Sequence, residues 1–219
     1  MAVTKNIAKN IAKNIAKNPA KNIAKKSGAA LRILPLTPER WDDFTALFGE
    51  LGACGGCWCM TPRVTRAVYE RNRGAGNKRA MKRLVASGAQ PGLLAYRGAE
   101  AVGWIALGPR SEYARLERSR VAKPVDAEPA WSIVCFYVRP DERGRGLSAR
   151  LIAAAAQHAR ARGAKLLEAF PIDASKKPIP PVFAWTGIAS AFERAGFEEL
   201  ARRSPTRPYL RKRLAARKG

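Results

Sequence analysis

The stretch from Trp131 to Ile172 constrains the fold of this chain more than any other. Trp131–Val138 is an unbroken apolar run rich in aromatic and β-branched residues, the pattern of a strand buried on both faces. Pro140 prevents its continuation, and Arg143-Gly144-Arg145-Gly146-Leu147-Ser148 follows. The alanine-rich segment 148–162 then reads as a helix stopped by Gly163, and 166–172 as a second buried strand. Strand, loop, helix and strand at these lengths predict a parallel pair joined by a right-handed crossover.

The remaining elements frame that unit. Residues 31–36 predict a strand, and Thr37-Pro38 predicts a hydroxyl cap opening a helix that runs through Phe48. Helices are expected over 65–73 and 77–86, with Gly88 past the end. Residues 93–97 and 101–107 predict a hairpin around Gly98-Ala99-Glu100. A polar connection spans 109–130. A short helix over 189–195 ends at Gly196, and 197–203 with 209–214 predict a final hairpin.

Residues 5–26 stand apart. Lys-Asn-Ile-Ala recurs from Lys5, Lys9, Lys13 and Lys21, interrupted at Pro19. Seven lysines and no acid lie in the first 26 residues. Residues 1–28 are therefore expected to be a basic low-complexity tail, disordered when alone or serving as an arm for nucleic acid or an anionic surface. Residues 29–219 are expected to form one domain. The body is basic too, and the whole chain of 219 residues carries a formal charge of +24. Such a field attracts polyanions without naming one. No segment has the roughly 18 apolar residues that span a bilayer, and no apolar leader is evident at the N-terminus. Four cysteines without a leader point to a reducing cytoplasm.

The glycine loop carries the chemistry. A helix N-terminus presents unpaired amides and a partial positive charge, and glycines before it allow a phosphate to approach the backbone. The loop lacks the three-glycine dinucleotide fingerprint and the Gly-Lys-Ser/Thr of a nucleotide P-loop. Its pattern, Arg143-x-x-Gly146-x-Ser148, resembles the Arg/Gln-x-x-Gly-x-Gly/Ala signature of the GNAT superfamily of N-acetyltransferases, with a conservative change at the last position. The element order resembles that family over residues 30–214, and Ala195-Gly196-Phe197 matches its helix-to-strand corner. The resemblance implies an α/β fold with a mixed, mostly antiparallel sheet, helices on both faces, and a central parallel pair that splays apart. It implies acetyl-CoA as donor and a primary amine, on a small molecule or a peptide, as acceptor. Backbone groups of Phe136, Tyr137 and Val138 are expected to meet the pantetheine arm, and Arg143, Gly144, Arg145, Gly146, Leu147 and Ser148 the pyrophosphate.

Two family features are missing. Phe192 stands where many members carry a tyrosine acid, and Trp131-Ser132-Ile133 stands where some carry a glutamate base. A primary amine with a pKa near 10.4 still needs to lose a proton. Glu168, the one acid inside its strand, is a candidate base or amine holder; pairing with arginine is the alternative. Asp173 is next in line. Tyr137 is a candidate acid or else a core aromatic. These gaps also leave open a basic nucleic-acid-binding protein with a vestigial or regulatory acyl-CoA site.

Cys54-Gly55-Gly56-Cys57-Trp58-Cys59-Met60 invites a zinc reading, but three thiols crowd into six residues and the fourth cysteine, Cys135, is far away in sequence. No metal is expected. A redox or acyl-carrying thiol, a structural turn, and a mobile loop lining the acceptor side remain. On the last reading Cys57, Trp58, Cys59 and Met60 contact the acceptor.

Overall fold

The computed structural model describes residues 30–175 and 179–215. The basic repeat and the tail boundary expected at residue 28 lie outside the described residues.

Seven strands form one sheet in the order β1-β2-β3-β4-β5-β7-β6. They are β1 (Leu31–Pro35), β2 (Gly92–Arg97), β3 (Glu100–Pro109), β4 (Trp131–Val138), β5 (Leu166–Ala169), β6 (Glu198–Arg202) and β7 (Pro208–Arg213). All neighbours are antiparallel except β4 and β5. The helices are α1 (Trp41–Phe48), α2 (Arg66–Arg71), α3 (Ala75–Ala86), α4 (Ala114–Glu117), α5 (Leu147–Ala161) and α6 (Ala189–Arg194). None of the described helices is long and apolar enough to cross a membrane.

Two cores cover the two faces of the sheet. On one, Trp41, Phe44 and Phe48 of α1 and Met81 and Val85 of α3 pack on Leu94, Trp104 and Cys135. On the other, Leu147, Leu151, Ile152, Ala155 and Ala159 of α5, together with Phe192 of α6, cover Ile105, Ile133, Phe136 and Leu167. The α5 positions follow the helical repeat, so one stripe of alanine and leucine meets the sheet while arginines face water. Burial of these stripes is the main stabilising term, at roughly 25 cal/mol per Å² of apolar surface.

Several boundaries differ from the sequence expectation, each for a local reason. Thr37 does not cap α1. A 3-10 turn over Pro38–Arg40 comes first, and the Thr37 hydroxyl accepts from Arg40 Nη1 at 3.0 Å. Thr65 does cap α2, accepting from the Val68 amide. Helix α3 starts two residues earlier than expected, at Ala75, after left-handed Gly74. The β2–β3 turn uses only Gly98 and Ala99, because Glu100 already pairs with Arg97. The strand expected over 166–172 ends at Ala169, and Ile172 makes an isolated parallel bridge to Ile188. That early end opens the sheet.

Candidate active site

The parallel pairing of β4 and β5 lasts three residues, from Trp131↔Leu167 to Ile133↔Ala169. Beyond it β4 continues to Val138, paired with β3 on one side but with no strand on its β5 side, so a gap opens in mid-sheet. A bulge marks the place: β4 uses Ile133, Val134 and Cys135 where β3 uses only Ala106 and Leu107. A bulge bends and twists a strand, which re-aims the residues beyond it. Past the bulge the antiparallel ladder alternates. The Arg139 amide donates to Val102 of β3 at 3.0 Å, so Tyr137 also turns its backbone to β3, while Phe136 and Val138 turn theirs into the gap. Of the three residues expected to pair with a pantetheine arm, the register thus gives Phe136 and Val138 the outward-facing backbone. The Phe136 amide already donates to the Trp185 carbonyl at 2.6 Å, and the Val138 carbonyl accepts from Arg143 Nε at 3.1 Å.

The glycine loop stands at the open end of this gap. Pro140–Glu142 forms a 3-10 turn, and Gly146, left-handed at φ 74, is the cap of α5. Gly144 has the same φ. A Cβ at either glycine would meet nothing within 4 Å, so the space beside the α5 N-terminus is open. Leu147 turns its side chain into the core and leaves its amide at the helix start. The loop's one buried acid, Glu142, is neutralised from behind by Arg97, whose Nε and Nη2 donate at 3.0 and 2.9 Å. Arg143 and Arg145 remain exposed, and Ser148 is half-buried. Unpaired amides, an open cradle and two outward cations fit a pyrophosphate.

Glu168 lies on the far side of the parallel pair and is 1 % exposed. Its Oε2 accepts from Arg110 Nη1 at 3.0 Å; its Oε1 accepts from Arg211 Nη2 at 2.8 Å and from the Tyr209 hydroxyl. Arg211 also reaches Asp126 at 2.6 Å, and Arg110 reaches Glu117 at 3.2 Å. The structure brings Glu168 together with arginine, the alternative that the sequence left open, in a chain of five charges that is buried at Glu168 and reaches solvent at Glu117 and Asp126. Burial and the hydrogen bond to Glu168 push the Tyr209 phenol up to about 12. Sequence reasoning missed Arg110, Tyr209 and Arg211, because nothing in their spacing marks them as partners of one carboxylate. Asp173 is held down to about 2 by bonds from Ser175 and by Arg202.

Tyr137 points to the α1 face, half-buried, with its ring 5.7 Å from that of Phe48. Burial raises its phenol, partly opposed by Arg143 and Arg139. Nearby, the Gly52–Cys59 loop folds back under α1. Trp58, Cys59 and Met60 are buried, and Cys57 keeps partial exposure. The Trp58 ring stacks on Phe48 and lies under Lys78. Cys59 accepts from Trp104 Nε1 at 2.8 Å and meets the Cys135 thiol, a contact between cysteines far apart in sequence. Burial holds the Cys59 thiol well above its ordinary value and pushes Cys57 up to about 12. Both stay protonated, which disfavours them as nucleophiles. All four cysteines are unbonded.

The acetyltransferase (GNAT) family model matches residues 62–177, more than half of the chain. In fold, the chain is similar to an N-acetyltransferase from Staphylococcus aureus Mu50, at 12% identity with a TM-score of 0.50, covering 85% of this chain and 100% of that one. It is similar to a Drosophila melanogaster polyamine N-acetyltransferase that catalyses the formation of N-acetylagmatine, at 14% identity and a TM-score of 0.52, covering 84% and 100%. A mosquito arylalkylamine N-acetyltransferase, like 5b, gives the same values. No curated protein matches the chain in sequence.

Proposed function

Because the chain belongs to the GNAT family of acetyltransferases, whose acyl donor is acetyl-CoA, we propose that it moves an acetyl group to a primary amine by direct attack within a ternary complex. The observation that carries this reading is the open α5 N-terminus beside the split between β4 and β5. Acetyl-CoA, when bound, supplies an activated thioester. The protein's part is to hold and orient it. The amides at Gly146–Ser148 and the guanidiniums of Arg143 and Arg145 suit the pyrophosphate, and the gap-facing backbone of Phe136 and Val138 suits the arm and the acyl oxygen. Use of the Phe136 amide requires that the Trp185 carbonyl release it.

Tyr137 is the residue we assign to return a proton to the leaving thiolate. It stands on the gap-bordering half of β4, and burial keeps its phenol protonated at neutral pH. Phe192, sealed in the core, has no proton to give in that role. Glu168 serves the site by position: it clamps β5 and β7 to the long connection through Arg110 and Arg211. The Cys57–Met60 loop shapes the acceptor side from beneath, with Cys57 at its surface.

The test is thiol release from acetyl-CoA across a panel of amines, amino acids and basic peptides. At least one acceptor is expected to give turnover. In Tyr137→Phe, kcat should fall by about 10²-fold with KM for acetyl-CoA unchanged. Turnover with no acceptor, or an unchanged kcat in that variant, contradicts the assignment.

A further inference from the structure

Arginines near the gap meet carboxylates, with one exception inside the fold. Arg110 and Arg211 share Glu168, and Arg202 holds Asp173 at 2.8 Å and Glu199 at 2.6 Å. Arg207, half-buried in the β6–β7 turn, has no carboxylate partner among the described residues. Its Nη1 donates to the Thr186 hydroxyl at 2.6 Å and to the Phe170 carbonyl at 3.5 Å. Its Nε and Nη2, the edge that guanidinium uses for fork pairing, have no protein acceptor there. Asp173, whose amide donates to the carbonyl of the adjoining Thr206, commits its own carboxylate to Arg202 and Ser175. The segments outside the described residues contain no Asp or Glu. Burial without a counter-ion disfavours the charged form of Arg207. A half-buried charge left unpaired is costly, so a fold that keeps one has a use for it.

Its position says what the use is. Two hydrogen bonds lead from Arg207 to the gap: Nη1 donates to Thr186, and the carbonyl of the adjoining Trp185 accepts from the Phe136 amide. Trp185 and Phe183, on the same segment, are 38 % and 54 % exposed. A cation with a free fork edge thus stands beside the open sheet, bonded to a segment that carries two exposed aromatic side chains.

We propose that Arg207 is a specificity-determining residue that binds a carboxylate of the acceptor, so that the acceptor class is amines bearing a carboxylate, such as amino acids with an apolar side chain. One guanidinium edge matches one carboxylate in planar, bidentate geometry. A phosphate is a poorer match, because the cations next along this segment are engaged elsewhere: Arg203 donates to the Lys123 and Pro124 carbonyls, and Arg202 is neutralised by Asp173 and Glu199. The proposal rests on the acetyl-transfer reading for its relevance to turnover, yet its binding claim is separately measurable.

The test is equilibrium binding to the CoA-saturated protein, by calorimetry, of paired ligands. They are N-acetyl-L-phenylalanine against N-acetylphenethylamine, N-acetyl-L-leucine against N-acetylisoamylamine, and O-phosphoethanolamine as the phosphate arm. The carboxylate member of at least one pair is expected to bind at least about tenfold tighter than its partner. Arg207→Met should abolish that preference, Arg207→Lys should retain part of it, and CoA binding should be unchanged in both. Equal or weaker binding of the carboxylates, no binding by either of them, tighter binding of the phosphate, or a preference that survives Arg207→Met overturns the proposal. Failure of the acetyl-transfer reading is a different result, seen as no CoA binding by the wild-type protein. Should Arg207→Met not fold, Arg207→Lys decides the matter: a preference undiminished in that variant overturns the proposal.

Discussion

Two loops of this chain are built on glycine and use it in opposite ways. Both are glycine-rich and both bend through left-handed backbone. At Gly144 and Gly146 the space where a side chain would sit is empty. At Gly52 and Gly56 it is filled: a Cβ would stand 2.4 Å from Trp58 Nε1 in the first and 2.6 Å from the Gly74 amide nitrogen in the second. The Arg143–Ser148 loop leaves that space open, as the proposed phosphate site requires. The Gly52–Cys59 loop uses it to admit the protein's own indole and backbone. The second loop is also strained, since Ala53, Trp58 and Cys59 have φ of 64°, 44° and 53°. Left-handed backbone costs a non-glycine residue about 1–2 kcal/mol, which the packing of Trp58 against Phe44 and Phe48 offsets. Glycine content therefore says that the backbone is closely approached, and the neighbours say by what.

The sharpest way to break this comparison is one substitution at matched φ. Gly56 and Gly144 lie at 73° and 74°. Gly56→Ala is expected to cost about 3–4 kcal/mol, from left-handed strain plus a clash with backbone that has nowhere to go. Gly144→Ala should cost about 1 kcal/mol, from strain alone. Denaturant unfolding of both variants checks this, and equal losses would erase the distinction.

Next in size is Gly146→Trp. An indole in the empty cradle should weaken CoA binding by about 10²-fold or more, some 2.7 kcal/mol, while the melting temperature moves by only a few degrees. A variant that binds CoA normally would remove the loop from the site.

These two loops also explain how far the sequence could be read. The strand–loop–helix structure around Arg143–Ser148 was legible because it is local: strand, glycines and helix are contiguous. The parallel pair followed from the same run, and the mixed sheet from the family resemblance. The Cys54–Met60 loop was not legible, because its meaning lies in Trp104, Cys135 and Gly74, all outside its own stretch of chain. Glu168 shows the same limit. Its place in a buried strand was evident, but its partners Arg110, Tyr209 and Arg211 come from the far end of β3 and from β7. Arg207 hid for the opposite reason, since what marks it is a missing carboxylate, and only three dimensions can show that one is missing.

The smallest expected effect lies away from both loops and serves as a control. The Asp173 carboxyl is held near 2, below its unfolded value of 3.8. A depressed carboxyl adds stability that is complete above the unfolded value and is lost as pH falls through the folded one. The difference in stability between wild type and Asp173→Asn should thus be constant above about pH 5 and vanish as pH falls from about 4 to 2, as followed by denaturant unfolding at each pH. A difference that persists at pH 2 would assign the effect to packing.

The claim on which the rest depends is that the open end of the β4–β5 gap holds CoA through its phosphates. Calorimetric titration of the wild-type protein with CoA at rising salt tests it most directly. The account predicts one site per chain whose affinity falls as salt rises, because salt screens the attraction of exposed Arg143 and Arg145 for the phosphates. The absence of binding at low salt, or binding indifferent to salt, would contradict it.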